Sequence, residues 1–198
     1  MKYFRIFRQS AAELKDIRCL TVTGLLIAIY AALEFVTIQP SESLKINFGF
    51  LAIAAIGVLY GPVVGMFGAG ICDLVGFMVK PSGSFNPVFT GIAMVQGLIY
   101  GMVAYRRLSG RSGRGYDVEM LVRSVTARVL DVAVINVCLN TLAIYFLFGS
   151  KKTLPAMLAA RVTKNLIELP IDIGLVIVVI PVLLKTYKGV FGKQRSVA

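Results

Sequence analysis

The chain has 198 residues, of which 57% are hydrophobic and 16% charged, and its mean hydropathy is +0.80. Soluble domains are about 45–50% apolar, so this composition excludes a soluble globular protein and indicates an integral membrane protein. The absence of histidine excludes histidine-based triads and histidine-ligated metal sites. The net charge is +11, and most Lys and Arg residues lie between the apolar segments or at the ends of the chain, where they indicate membrane topology and not nucleic-acid binding.

Turn signals such as Tyr60-Gly61-Pro62 divide the apolar sequence into six segments. Because a hydrocarbon core of about 30 Å needs roughly 20 apolar residues per helix, the chain has room for six spans and little else. We therefore predict an all-α integral membrane protein with one membrane domain at residues 19–187. The predicted spans are 19–38, 48–60, 62–79, 87–105, 119–148 and 154–185, of which 48–60 is short enough to be re-entrant.

Both ends of the chain are basic. In residues 1–18, Phe4, Phe7 and Leu14 recur at helical spacing with basic side chains around them, which favours a short helix on the membrane surface. A solvated basic tail is the alternative interpretation. Residues 188–198 are predicted to form a second basic tail.

The distribution of Lys and Arg predicts which side of the membrane each loop faces. Residues 106–116 carry four arginines and no acidic residue, whereas the loops at 39–47, 80–86 and 149–153 carry four lysines between them. Both chain ends and the 106–116 loop are therefore predicted to face the cytoplasm. Four spans precede that loop, so this orientation agrees with the number of spans.

The first predicted span carries a stripe of small residues. Gly24, Ala28 and Ala32 recur every four positions, and small residues at this spacing let another helix approach closely. Two interpretations stay open, because the stripe can dock a partner protein or pack against helices of the same chain.

Residues 158–172, with the sequence LAARVTKNLIELPID, place polar side chains inside an apolar run. Charged groups at membrane depth are costly unless they face a cavity or a partner, so such a cluster indicates a functional site. In the predicted topology it lies in the outer half of the last span. Its members are Arg161, Lys164, Asn165, Glu168 and Asp172, and Glu34 and Asp73 fall in the outer halves of their own spans.

Part of this cluster can be explained by structural pairing. Lys164 and Glu168 are four positions apart and can neutralise each other. Asp172 can pair with Arg128 or with another helix. Arg128 and Asp131, three positions apart on the fifth span, are predicted to form a structural pair.

Arg161 is not explained in this way, because no acidic residue lies three or four positions from it. A guanidinium at that depth favours an anionic ligand, which it can bind through two parallel hydrogen bonds. The sequence contains no phosphate-binding GxxxxGK[ST] loop and no nucleophile and base that can be paired, so we predict a binding subunit and not an enzyme. A membrane scaffold whose buried charges only register the helices is the alternative of a different class.

Several motifs resemble those of a known transporter family. Residues 48–77, with a turn of the form LYGPxxG and the ending DLxG, resemble the second and third spans of the substrate-binding S components of energy-coupling factor (ECF) vitamin transporters. Residues 85–100, 139–142 and 160–170, the last with the sequence ARVTKNLIELP, are similar to the folate-type (FolT-like) S components.

This resemblance implies a six-helix protein of the cell membrane that captures a vitamin, in the first place folate, from outside. It also implies assembly with a transmembrane coupling protein (EcfT-like) and two cytoplasmic ATPase subunits. ATP is then used by those partners, and no cofactor is expected on this chain. Ala28 and Ala32 match the AxxxA positions that contact the coupling protein in the family.

The resemblance also implies substrate contacts at the ARxxKN positions, which are Arg161, Lys164 and Asn165. Folate combines an aminopyrimidinone edge, aromatic rings and a dianionic tail, so carboxylates and aromatic side chains are further candidates. Pantothenate, which is smaller, aliphatic and a monoanion, is the alternative substrate. The further candidates are Asp73, Glu168, Phe48, Phe85 and Phe89.

Overall fold

The computed structural model describes residues 2–36, 38–41, 44–46, 48–81, 85–105, 114–148 and 153–191. Residues 192–198 of the basic tail predicted at 188–198, and most of the predicted 106–116 loop, lie outside these residues. In chain order the elements are α1 (Lys2–Glu13), α2 (Ile17–Phe35), β1 (Ile38–Ser41), β2 (Leu44–Ile46), α3 (Phe50–Tyr60), α4 (Pro62–Val79), α5 (Pro87–Ala104), α6 (Arg114–Asp131), a π-helical segment (Val132–Leu139), α7 (Asn140–Phe148) and α8 (Leu154–Phe191).

Within the described residues, five helical stretches are long and apolar enough to cross a membrane, which makes the chain a multi-pass membrane protein. Helix α3 is shorter, since its 11 residues rise only about 16 Å. Every residue from Ala52 to Tyr60 is nevertheless buried by neighbouring helices. A helix that is apolar all round belongs inside a bundle. The five long stretches are Ile17–Phe35, Pro62–Val79, Pro87–Ala104, Val118–Leu147 and Leu154–Val190.

Helix α1 is fastened to the turn between α3 and α4. The fully buried Ser10 hydroxyl donates to the Tyr60 carbonyl at 2.7 Å and accepts from the backbone amides of Val63 at 3.0 Å and Val64 at 3.2 Å. These amides belong to the first turn of α4, which has no capping side chain of its own. The basic N-terminal segment therefore forms a helix that is docked to this turn at Ser10.

Helices α4 and α5 touch through their backbones. A Cβ atom added to Gly97 would overlap the Gly65 carbonyl, and one added to Gly101 would overlap the backbone at Pro62. Small residues at both positions are what allow this approach, which membrane helices use for close packing. The predicted turn at Tyr60-Gly61-Pro62 lies beside it, where Gly61 adopts φ +87°, a conformation suited to glycine.

We expect Gly97→Ala to destabilise the protein by about 1–3 kcal/mol, since the new methyl group forces the two backbones apart. Gly91→Ala is the matched control on the same helix, because a Cβ atom there meets no atom within 4 Å. Thermal unfolding of the purified protein in detergent measures both variants. Equal unfolding midpoints for the two would contradict the close contact.

The membrane-spanning elements are all helical, as predicted, and the connection at residues 38–46, expected to be a loop, contains a short β-hairpin. Strand β1 pairs antiparallel with β2, with Ile38 opposite Ile46 and Ser41 opposite Leu44. Apolar and polar residues alternate in Leu44-Lys45-Ile46, which is the period of a strand. Helix α2 correspondingly ends at Phe35, before the predicted limit of the first span.

The long helices that carry the polar clusters run antiparallel. Asp73 and Gly65 of α4 meet Thr90 and Gly97 of α5, so residue numbers fall on one helix as they rise on the other. The same holds for α6 and its continuation against α8, where Arg128 meets Asp172 and Asn136 meets Asn165. Helix α5 is also antiparallel to α6 and its continuation, since Gln96 meets Asp131 and Ile92 lies with Ile135. The end of α4 and the starts of α5 and α8 therefore share one end of the bundle, called here the site end.

Candidate functional site

A buried ion network lies in the middle of the bundle, centred on Arg128. Its Nη1 lies 2.5 Å from Asp131 Oδ2, and its Nη2 lies 2.7 Å from Asp172 Oδ2. The three side chains are 6%, 0% and 7% exposed. Both pairings proposed from the sequence, Arg128 with Asp131 and Arg128 with Asp172, are confirmed.

Neighbouring helices complete this network with groups that the sequence analysis did not identify. Gln96 Nε2 donates to Asp131 Oδ2 at 3.0 Å, and the Tyr100 hydroxyl donates to the same oxygen at 3.3 Å. The Phe50 ring lies against the guanidinium of Arg128, 3.7 Å from its Cζ, in a cation–π contact. Helices α3, α5, α6 and α8 are thereby joined around one cation. The feature of the sequence that could have indicated these additional members of the network is Gln96, an amide side chain within an apolar span.

A second pair follows on α8 in the direction of the site end. Glu168 lies one turn from Asp172, and Lys164 Nζ is 3.6 Å from Glu168 Oε1. This distance confirms the ion pair expected from the spacing of four. Glu168 Oε1 is buried and has no hydrogen bond within the described part of the chain, so this carboxylate retains capacity to accept one.

Arg161 lies one further turn towards the site end and differs from the other cations of the cluster. Among the described residues it forms no ion pair, and its guanidinium makes one hydrogen bond, from Nη1 to the Asn136 carbonyl at 3.4 Å. Asn165 is buried and donates to the Arg161 carbonyl at 2.8 Å. The Asn136 side chain donates to Asn165 Oδ1 at 3.3 Å. A half-buried guanidinium thus bonds to the Asn136 carbonyl and pairs with no acidic side chain in the described part of the chain.

The remaining predicted site residues lie on the α4–α5 side of the same end. Asp73 Oδ2 accepts a hydrogen bond from the Thr90 hydroxyl at 2.7 Å. The rings of Phe77 and Phe85 meet edge to face with centroids 5.3 Å apart. Among the described residues, no hydrogen bond or ion pair joins Asp73 to the α8 cluster.

Phe89 connects the two sides of the site end. It packs on a small apolar cluster that includes Ile92 of α5 and Ile135 of the π-helical segment, and Ile135 directly precedes Asn136. Phe48 is half-buried just before α3.

The stripe on α2 faces outward. Gly24, Ala28 and Ala32 are all exposed, and a Cβ atom on Gly24 would meet no atom within 4 Å. Packing against this chain's own helices, one of the two interpretations of the stripe, is therefore wrong. The buried residues of α2 lie on its other side and are Cys19, Thr23, Leu26 and Glu34.

The chemistry that this end of the bundle offers is recognition of an anion with polar and aromatic parts. It presents a guanidinium with unused donors, an ammonium paired to a carboxylate, two amides, a second carboxylate and aromatic rings. No group of three or more Cys, Asp or Glu side chains suited to a metal ion occurs among the described residues.

Comparison with known proteins identifies the relatives of this chain. It is 28% identical over 163 residues to the "Folate transporter FolT" of Leuconostoc mesenteroides subsp. mesenteroides, which covers 81% of this chain and 83% of that protein. It is 29% identical over 139 residues to the protein of the same name from Clostridium novyi, with 70% and 73% covered. A solved structure described as "Crystal structure of FolT bound with folic acid" matches with a TM-score of 0.63 at 27% identity, covering 79% of this chain and 89% of that chain.

A family model described as "ECF transporter, substrate-specific component" matches residues 18–180. The family is one of transporter components and not of enzymes. Since the match spans most of the 198 residues, this chain belongs to the substrate-specific components of ECF transporters.

Proposed function

We propose that this chain is the folate-binding subunit of an ECF-type importer. The observation that carries the proposal is Arg161, a half-buried guanidinium without an acidic partner among the described residues, held at the site end by a hydrogen bond to the Asn136 carbonyl. Two relatives are named as folate transporters, and a matching structure contains folic acid, which supports folate as the anion.

The parts of folate correspond to groups on the two sides of the site end. Its dianionic tail suits the guanidinium of Arg161 and the ammonium of Lys164. Its aminopyrimidinone edge offers N–H donors to a carboxylate, for which Asp73 and Glu168 are the candidates. Its aromatic rings suit an apolar aromatic wall. The candidates for that wall are Phe48, Phe85 and Phe89.

The proposed topology has six crossings, which are the five long helical stretches and the shorter α3. Both chain ends lie in the cytoplasm. This topology rests on the excess of Lys and Arg at the chain ends and in residues 106–116. Because α3 is enclosed by other helices, its short length exposes little backbone to lipid. In this orientation the site end opens to the exterior of the cell membrane.

The proposed partners are an EcfT-like coupling protein in the membrane and two cytoplasmic ATPase subunits. This chain then needs no cofactor, since ATP is used by the partners. The exposed stripe of Gly24, Ala28 and Ala32 suits close approach of a partner helix.

We expect Ala28→Trp or Ala32→Trp to abolish ATP-driven folate uptake while the purified subunit still binds folic acid. An indole at either position projects from the smooth face of small residues and prevents the close approach of a partner helix. Uptake by cells carrying the complete transporter measures the effect. Val178→Trp, at an exposed position of α8, is the control. Uptake that persists in the Ala28 and Ala32 variants would show the stripe to be lipid-facing only.

The proposed function is tested by titrating the purified protein with folic acid and with pantothenate in a calorimeter. We expect heat from folic acid and none from pantothenate. A response to pantothenate alone would identify a different vitamin. No response to either would contradict a vitamin-binding subunit and favour a scaffold.

A further inference from the structure

The π-helical segment Val132–Leu139 lies directly against the part of α8 that carries Arg161 and Asn165. In a π-helix the backbone hydrogen bonds reach five residues back, as from the Asn140 amide to the Ile135 carbonyl. Each turn is wider than in an α-helix, and such turns occur frequently at functional sites. Asn136 is the polar residue inside this segment.

The hydrogen bonds around Asn136 determine the orientation of two amide groups. A backbone carbonyl can only accept, so the Asn165 atom that lies 2.8 Å from the Arg161 carbonyl is the donor Nδ2. Asn165 must then turn its Oδ1 towards Asn136. Asn136 in turn must present its own Nδ2, at 3.3 Å. The two asparagines are therefore locked in one arrangement.

Asn136 also holds the guanidinium. Its backbone carbonyl accepts from Arg161 Nη1 at 3.4 Å, so Arg161, Asn136 and Asn165 form a closed ring of three contacts, in which Asn165 bonds to the backbone carbonyl of Arg161 and Asn136 to its guanidinium. Within the part of the chain that the structure describes, Arg161 Nε and Nη2 have no acceptor, and Asn136 Oδ1 has no donor. The groups engaged in these three contacts fix the geometry of the ring. The other donors of Arg161 and one acceptor of Asn136 remain available for a ligand.

We propose that Asn136 is a positioning residue of the ligand site, which acts through Asn165 and Arg161 to hold their polar groups towards an anion. This inference rests on the proposed function, because it assumes that Arg161 meets the ligand. Preorganisation of this kind raises affinity, since the side chains lose less freedom when the ligand binds.

The test is calorimetric titration of the full-length protein in detergent with folic acid. Asn136→Ala removes one neutral hydrogen bond, which corresponds to a loss of about five- to tenfold in affinity. Asn136→Asp replaces the Nδ2 donor to Asn165 Oδ1 with an oxygen and adds a negative charge to the site that repels a ligand anion, so we expect a loss of about 100-fold. Thr163→Ala is the control on the site helix, since that residue is exposed and its hydroxyl bonds to the Ala159 carbonyl of its own helix.

A double substitution separates positioning from a merely structural role. If Asn136 acts through Asn165, the Asn136→Ala and Asn165→Ala double variant binds folic acid within about twofold of Asn165→Ala alone. Additive losses in the double variant would overturn the proposal, and so would an Asn136→Ala affinity within twofold of the wild type. A loss of affinity that is accompanied by a lowered unfolding midpoint of the ligand-free variant would also overturn it, because the substitution would then act on the fold. Wild-type protein that fails to bind folic acid would contradict the proposed function and, with it, this role of Asn136.

Discussion

Replacing Arg128 with leucine should lower the free energy of unfolding by about 3–5 kcal/mol. The change leaves Asp131 and Asp172 buried, at 0% and 7% exposure, without the cation that bonds to both. It also removes the contact of the guanidinium with Phe50. We expect a strongly reduced unfolding midpoint in detergent and a low yield of folded protein.

Arg123→Leu is the matched control on the same helix. Arg123 pairs with Glu119 at 3.1 Å, but the two side chains are 37% and 41% exposed, and an exposed pair contributes only about 0–1 kcal/mol. Arg128→Lys keeps the charge and loses the planar fork that bridges two carboxylates, so its midpoint should lie between those of the wild type and Arg128→Leu. Equal midpoints for Arg128→Leu and Arg123→Leu would contradict a structural centre at Arg128.

The ion network also explains why the ligand site can be built on α8. Asp172 ties this helix to α6 through Arg128, and Glu168 and Lys164 follow one and two turns further along. The deeper charges pair within the bundle, whereas Arg161 at the end of the series has no acid partner in the described residues. Structural pairing and ligand binding were competing interpretations of one cluster. The two roles instead belong to different parts of the helix, with pairing among the deeper charges and ligand binding at Arg161.

Residues with strong local signals were predicted from the sequence. Polar residues inside an apolar run identified the cluster on α8, and spacings of three and four gave the pairs Arg128–Asp131 and Lys164–Glu168. Burial of α3 agrees with its apolar composition on every side. These features depend on residues near each other in sequence, where composition and helical period carry the information.

Contacts that depend on the geometry between elements were missed. Gln96 and Tyr100 bond to Asp131 across 35 and 31 positions of the sequence. The sequence of α5 alone does not indicate which helix it packs against. The π-helical segment was missed because a shift of the hydrogen bonds from four to five residues leaves no signature in composition. Asn136 consequently looked like one polar residue in an apolar span. The short hairpin at residues 38–46 was missed because its strands have four and three residues.

Replacing Arg161 with alanine should weaken folic acid binding by about 30-fold to several thousand-fold, which corresponds to the roughly 2–5 kcal/mol lost when one partner of a buried charged contact is truncated. Arg161→Lys should recover part of the affinity, since it keeps the charge and loses the fork that binds a carboxylate through two hydrogen bonds. Calorimetric titration of the purified variants measures both. Arg123→Ala, at the opposite end of the bundle, is the control and should bind as the wild type does.

The stability of Arg161→Ala decides which role this residue has. In the folded protein Arg161 makes one hydrogen bond, at 3.4 Å to the Asn136 carbonyl, and no ion pair among the described residues. We therefore expect the ligand-free variant to unfold within about 1 kcal/mol of the wild type, in contrast to Arg128→Leu. Unchanged affinity would place the anion elsewhere at the site end. A fall in stability as large as that of Arg128→Leu would instead make Arg161 part of the structural network.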